Sequence, residues 1–289
     1  MDLISIENYE NTRLESEDFQ FNCFHIQNAD TPPHWHNHTE IIFIKQGNCS
    51  IYINGTAFMC SEGDIILVPH GCLHSILCNT HSVYIAIVIG DTLFSSMVAD
   101  SHINRSLRPF FSDNTYEPIQ LSKQSKSYCR FLSLIVSIID EESNQKNSYE
   151  MIVKVELCRF FSDLTREFPE LLFVTPIQQS SVILKMKKAI EYIFIHYSDK
   201  ISISFMARYS NMSDQHFCRL FKSYTGKTFI DFLSDYRLEQ SNLLLKTTDL
   251  PITGIPELVG FCNVNYYSRV YKKKYGYPPS FVRKGRANL

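Results

Sequence analysis

Two groups of side chains have types and spacings that could do chemistry. The first is His34, His36 and Glu40, with His74 following after a gap. Side chains alternate along a strand, so His34 and His36 would share one face and Glu40, an even number of positions on, would lie further along it. Two imidazoles and a carboxylate on one face could share a ligand or a metal ion. The second group is a set of like pairs near the carboxyl end, each separated by 50 residues: Ser213 and Asn263, Phe217 and Tyr267, Arg219 and Arg269, Phe221 and Tyr271, Lys222 and Lys272, Gly226 and Gly276. One constant offset over six pairs marks a duplicated unit. Each copy starts with a helix-capping residue, runs about three turns with apolar residues on one side and Arg or Lys on the other, and stops at a glycine able to take positive φ.

The elements around the duplicated helices read as helix, tight turn, helix. A short helical stretch precedes each copy, Ile203 to Tyr209 and roughly Ile252 to Val259, and Phe229 to Leu245 forms an amphipathic bridge between the copies. This is the pattern of two helix-turn-helix motifs. The second helix of each could enter a major groove about 12 Å wide, the two reaching successive segments roughly 34 Å apart. Charge agrees with a polyanionic partner. From Ile183 to Leu289 there are 17 Lys+Arg against 8 Asp+Glu, a net of +9, whereas the remainder has 11 against 22, a net of -11. A basic segment joined to an acidic body suits double-stranded DNA, where phosphate neutralisation and counterion release supply most non-specific affinity.

The 289 residues exceed the usual size of one domain, and 44% hydrophobic with 20% charged residues excludes disordered and collagen-like classes. The start, MDLISIENYE, lacks a basic segment followed by an apolar run, and the longest apolar candidate, Phe131 to Ile139, is too short to span a bilayer. A cytoplasmic protein with no membrane partner is expected. Nine cysteines, an odd number scattered from Cys23 to Cys262 without a CxxC, read as reduced thiols.

From Phe19 to about Ile89, β-branched and aromatic residues run in fours to sevens, punctuated by Gly47, Asn54-Gly55, Gly63 and Pro69-His70-Gly71. That is hairpin-rich antiparallel sheet or barrel, with Asn54-Gly55 its strongest turn. The spacing HxH, three residues, Glu40, six residues, Gly47, then Gly63, five residues, Pro69, x, Gly71, two residues, His74 resembles the cupin signature. The resemblance implies a cupin-like jelly roll. In metal-binding cupins the corresponding ligands would be His34, His36, Glu40 and His74, a set suited to Zn, Fe, Mn or Ni. In cupin-like sensors the same side chains line a cavity for an organic effector. A sensor domain is expected, with no cofactor and no catalytic residue. A metal-dependent cupin enzyme fused to a DNA-binding domain is the alternative.

Ser127 to Glu142 and Ser148 to Phe168 carry apolar residues at spacings of three and four, two amphipathic helices that either cap the barrel or pair with a second subunit. Pro169, Pro176 and the QQSS tract mark the connection between domains. The expected organisation is multi-domain α+β. Residues 1–175 form an effector-binding and dimerisation domain, with its barrel at about 19–90 and helices at about 91–168. Residues 176–182 are a linker, and 183–289 form an all-α domain with two helix-turn-helix motifs.

From about Ile183 to Arg283 the chain resembles the DNA-binding domain of the AraC/XylS family, through RLFKSYTGKTFIDFLSDYRLEQSNLLL and VGFCNVNYYSRVYKKKYGYPPSFVR. The resemblance implies a bacterial, homodimeric transcription activator that senses a small molecule, most commonly a sugar, and has RNA polymerase as a further partner. Carried over by position, Gln215, Cys218 and Arg219 from the first reading helix and Asn265, Ser268 and Arg269 from the second would face bases. Arg can read guanine, and Asn and Gln can read adenine; Cys218 is a poor reader. Lys222, Lys272, Lys273 and Lys274 would hold phosphates. Pro256 departs from the family pattern and requires either a helix starting near Ile255 or a kink.

Overall fold

The computed structural model describes residues 19–94, 101–111, 116–173 and 180–287. The chain divides into two compact units between Ile183 and Leu184. Most of the expected linker, 176–179, lies outside the described residues, and its last two residues already belong to a helix.

Among its described residues the first unit contains nine strands: β1 (Phe21–Gln27), β2 (Thr31–His34), β3 (His38–Gln46), β4 (Asn48–Ile53), β5 (Thr56–Ser61), β6 (Ile65–Val68), β7 (His74–Cys78), β8 (Val83–Gly90) and β9 (Ile119–Leu121). They form two antiparallel sheets, ordered β1-β8-β3-β6-β9 and β2-β7-β4-β5. The β4–β5 hairpin turns at Asn54 (φ 47°) and Gly55 (φ 89°), where both residues take the positive φ of a type I′ turn.

The cupin-like jelly roll expected over 19–90 does not form. Both sheets stay open, ending at β1 and β9 in one and β2 and β5 in the other, and neither curls round to close. The reason lies in what covers the larger sheet. Along β3, Ile41 packs into one core and Ile42 and Ile44 into another; β6 divides Ile65 and Leu67 from Ile66 and Val68, and β8 divides Ile85, Ile87 and Ile89 from Tyr84 and Ala86. Such continuous apolar runs belong to a sheet buried on both faces. One face meets Cys49, Ile51, Ile53 and Ile76 of the smaller sheet. The other meets a helical layer that includes α1 (Ser101–Leu107), α2 (Tyr128–Asn144) and α3 (Tyr149–Glu167). Alternation and turn residues specify hairpins; they do not specify whether edge strands meet. Strand β9, within the stretch expected to be helical, completes the five-stranded edge through Ile65↔Leu121 and Ile66↔Gln120.

Helices α2 and α3 run antiparallel across the outer face, with Phe131, Ile135, Ile138, Leu157, Phe160 and Phe161 fully buried. The Phe110 and Phe161 rings lie 4.5 Å apart, tilted by 31°, and buried Asp163 draws Arg130 (3.0 Å) to join the two helices. Val136, Met151 and Val155 remain exposed at 51%, 64% and 57%.

Among the described residues the second unit is helical throughout: α4 (Ser181–His196), α5 (Ile203–Tyr209), α6 (Asp214–Thr225), α7 (Phe229–Thr247), α8 (Ile255–Leu258), α9 (Val264–Tyr275) and α10 (Pro279–Ala287). The duplication is kept to the residue. Ser213 caps α6 by accepting from the His216 N–H, and Asn263 caps α9 by accepting from the Tyr266 N–H. Both helices end on left-handed glycines, Gly226 at φ 74° and Gly276 at φ 82°. A Cβ on Gly276 would meet nothing within 4 Å, so only its backbone conformation is at stake. Gly276→Ala should therefore cost about 1 kcal/mol, read from the urea midpoint of unfolding.

The bridge α7 serves both copies. Its first half places Phe229 and Phe232 against Phe217 and Phe221. Its second half buries Leu238 and Leu245 with Tyr267 and Tyr271. The change from phenylalanine to tyrosine in the second copy has a local reason: Tyr267 Oη donates to Ser241 Oγ (3.3 Å) and Tyr271 Oη to Asn242 Oδ1 (2.7 Å), both on α7. Pro256 sits in the first turn of α8, where its missing N–H costs nothing, and the helix starts at Ile255 without a kink. No helix among the described residues is long and apolar enough to cross a membrane.

Candidate functional site

On α6, Gln215, Arg219 and Lys222 are exposed and fall at i, i+4 and i+7, one stripe of the helix. On α9, Asn265, Arg269 and Lys272 repeat the stripe 50 residues later, with Lys273 exposed beside it. Cys218 and Ser268 are half-buried at the edge of each stripe. The inward face is aromatic and buried: Phe217 and Phe221 on α6, Tyr267 and Tyr271 on α9. Each arginine rests on the residue three positions earlier. Arg219 Nη2 donates to His216 Nδ1 at 3.0 Å, and the Arg269 guanidinium lies 5.4 Å from the centre of the Tyr266 ring. These two supports escaped sequence reasoning, although the i, i+3 spacing is present in both copies. Lys274 stands apart from the other lysines. It donates to Glu239 Oε1 (2.7 Å) and to the Asp235 carbonyl (3.2 Å), so its charge is engaged by α7.

In the first unit the structure brings His34, His36, Glu40 and His74 together, with one ligand atom from each within 4.8 Å of all the others. They do not share a strand face, as the HxH spacing suggested. His34 ends β2 and His74 begins β7 in the four-stranded sheet, where the two are register partners, whereas Glu40 lies on β3 in the other sheet. His36 falls where the chain crosses from one sheet to the other. The cluster is thus built between sheets.

Glu40 is its centre, with Oε2 accepting from His36 Nε2 (3.1 Å) and His74 Nε2 (2.8 Å). Burial alone would raise the Glu40 carboxyl, but the attraction of His74 and the two imidazole hydrogen bonds hold it well below the usual carboxylate range. Burial, reinforced by His74, pushes His34 down to about 3, leaving a neutral ring whose Nδ1–H donates to the Pro32 carbonyl (2.9 Å). His74 faces acceptors at both nitrogens, since its Nδ1 lies 2.9 Å from the Cys72 carbonyl. It is therefore either an imidazolium paired with Glu40 or a ligand whose Nε2 lone pair meets a cation in place of that proton. His36 Nδ1 is buried without a hydrogen-bond partner among the described residues, an atom that a ligand could satisfy.

Three of the four cluster residues, His34, His36 and Glu40, form with Thr31 and Tyr84 the polar end of a cavity of about 160 Å³, with Phe24, Ile26, Ile76, Ala86 and Val88 as its apolar walls. The Tyr84 hydroxyl pairs with Thr31 Oγ1. Tyr84 and the apolar walls were not singled out from the sequence, because strand register decides which residues face inward.

Comparison with known proteins agrees with both units. Residues 206–285 match the family model described as a helix-turn-helix domain, and residues 22–157 match the AraC-like ligand binding domain. The chain is 26% identical over 271 residues to the uncharacterized HTH-type transcriptional regulator YdeC of Bacillus subtilis (strain 168), covering 89% of this chain and 87% of that protein. It is 34% identical over 102 residues to the arabinose operon regulatory protein of Escherichia coli (strain K12), a match confined to 35% of each chain. It is also 21% identical over 273 residues to the HTH-type transcriptional activator RhaS of Enterobacter sp. (strain 638), covering 90% of both. These relatives support a regulatory role and not an enzymatic one. The chain is a sequence-specific DNA-binding transcriptional regulator of the AraC/XylS family with an N-terminal ligand-binding domain.

Proposed function

We propose that this regulator is an effector-controlled activator whose input is a small polar molecule bound in the cavity between the two sheets. The observation that carries this reading is the cavity itself, about 160 Å³ in volume, with a buried carboxylate and the imidazoles of His34 and His36 at one end, His74 bonded to that carboxylate, and apolar walls at the other. Few, well-placed polar groups in an apolar pocket suit recognition of a compact hydroxylated or carboxylated compound. A small sugar fits this chemistry and accords with the arabinose operon relative. Residues 1–175 then serve as the effector-binding domain, with His34, His36, Glu40 and His74 as its polar contacts. The exposed apolar side chains Val136, Met151 and Val155 offer a face for pairing two copies into a homodimer. Occupancy shifts a pre-existing equilibrium toward the promoter-bound state. On the DNA, Arg219 and Arg269 read bases with Gln215, Asn265 and Ser268, Cys218 contributes little, and Lys222, Lys272 and Lys273 hold phosphates. RNA polymerase recruitment follows from the activator reading.

The test measures DNA affinity of the full chain against a panel of sugars, sugar acids and polyols. At least one class should change affinity about tenfold, a coupling of about 1.4 kcal/mol, and Val88→Phe, which fills the cavity, should remove that response. A panel without effect, or a response unchanged in Val88→Phe, would overturn the assignment.

A further inference from the structure

The four-stranded sheet carries a row of cysteines on adjacent strands. Cys49 of β4 lies directly opposite Cys60 of β5 on one side and Cys78 of β7 on the other. The Cys49 and Cys78 Sγ atoms are 3.0 Å apart, whereas the Cys60 thiol donates to the Phe58 carbonyl at 3.7 Å. Backbone geometry favours the first pair. The next pair along, Asn48 and Asn79, is joined by the Asn79 N–H to the Asn48 carbonyl at 3.1 Å. Alternation along an antiparallel ladder then makes Cys49 and Cys78 a non-hydrogen-bonded pair, the closely spaced kind with Cα atoms about 4.5 Å apart. The Cys78 N–H accordingly turns away to Asp30 Oδ1 at 3.0 Å. That spacing lies within the roughly 4.4–6.8 Å a disulfide spans. Cys49 is buried and Cys78 partly exposed, so the pair lies near the surface on the Cys78 side.

We propose that Cys49 and Cys78 form a redox modification site, in which a hydroperoxide oxidises the two thiols to one cross-strand disulfide. One sulfur, as thiolate, attacks the peroxide O–O bond and becomes a sulfenic acid, releasing hydroxide that leaves as water. The second thiolate attacks the sulfenic sulfur, the S–S bond forms and a second water leaves. Two thiols lose two electrons and two protons, and hydrogen peroxide becomes two waters. The bond would staple β4 to β7, the strand that supplies His74 and Ile76, in the same core as Tyr84, which lines the effector cavity. The ligand-binding unit thereby gains a second input, independent of which effector it takes.

The test is a hydrogen peroxide titration of the full chain, alkylation of remaining thiols and peptide mapping without reduction. Two of the nine thiols should be lost together, in a peptide linking Cys49 to Cys78. The link should form before the exposed Cys129 and Cys262 are oxidised, disappear with dithiothreitol, and be absent in Cys78→Ser. Oxidation confined to single cysteines, or a link from Cys49 to Cys60, would overturn the proposal. The map of the unaltered chain decides the matter whatever the folding of the variant.

Discussion

Glu40→Ala should destabilise the N-terminal unit by about 3 kcal/mol, because removing one partner of a buried ionic cluster leaves the others without compensation. Glu40 is 3% exposed and accepts from both His36 and His74, which are 2% and 0% exposed. Glu40→Gln keeps the side-chain shape and an acceptor oxygen, so it should lose less. The chain has one tryptophan, Trp35, placed between two members of the cluster, and its fluorescence reports on this unit. Urea unfolding followed at Trp35 should show the midpoint of Glu40→Ala well below that of the unaltered chain. An unchanged midpoint would mean that the carboxylate is not the centre of the cluster.

Arg269→Ala should reduce binding to the preferred DNA sequence by about 5- to 160-fold, the range set by roughly 1–3 kcal/mol for one good base pairing. Binding to unrelated DNA should fall far less. Lys273→Ala should weaken both alike and flatten the salt dependence by about one unit of slope. The contrast follows from position. Arg269 is exposed on the stripe shared with Asn265 and held over the Tyr266 ring, which limits the rotamers it must give up on binding. Lys273 is an exposed cation beside that stripe. Equal losses for the two variants on specific and non-specific DNA would reject the division of roles.

The C-terminal unit was largely legible in the sequence because its signals are local. Capping residues, apolar periodicity and terminal glycines act within one helix, and the offset of 50 residues shows each signal twice. Pro256 was legible only as a choice between two geometries, which Ile255 as the first helical residue resolves. In the N-terminal unit the strands and the Asn54-Gly55 turn were legible for the same local reason, but their assembly was not. Whether edge strands close depends on pairings far apart in sequence, and the helical cover that keeps the larger sheet open comes from residues beyond Ser101. The four cluster residues were found from their spacing, yet for a face they do not share: the chain changes sheets between His34 and His38. Cys49 and Cys78 could not be paired beforehand, since only the register of β4 against β7 sets them opposite each other.

In the proposed complex α6 and α9 of one chain read one duplex together. Selection of binding sites from random double-stranded DNA at physiological ionic strength tests it most directly. Two enriched sequence blocks should emerge, about 10–10.5 base pairs apart, centre to centre. Arg219→Ala should erase preference in one block and Arg269→Ala in the other. A single block, no enriched sequence, or both variants relaxing the same block would contradict it.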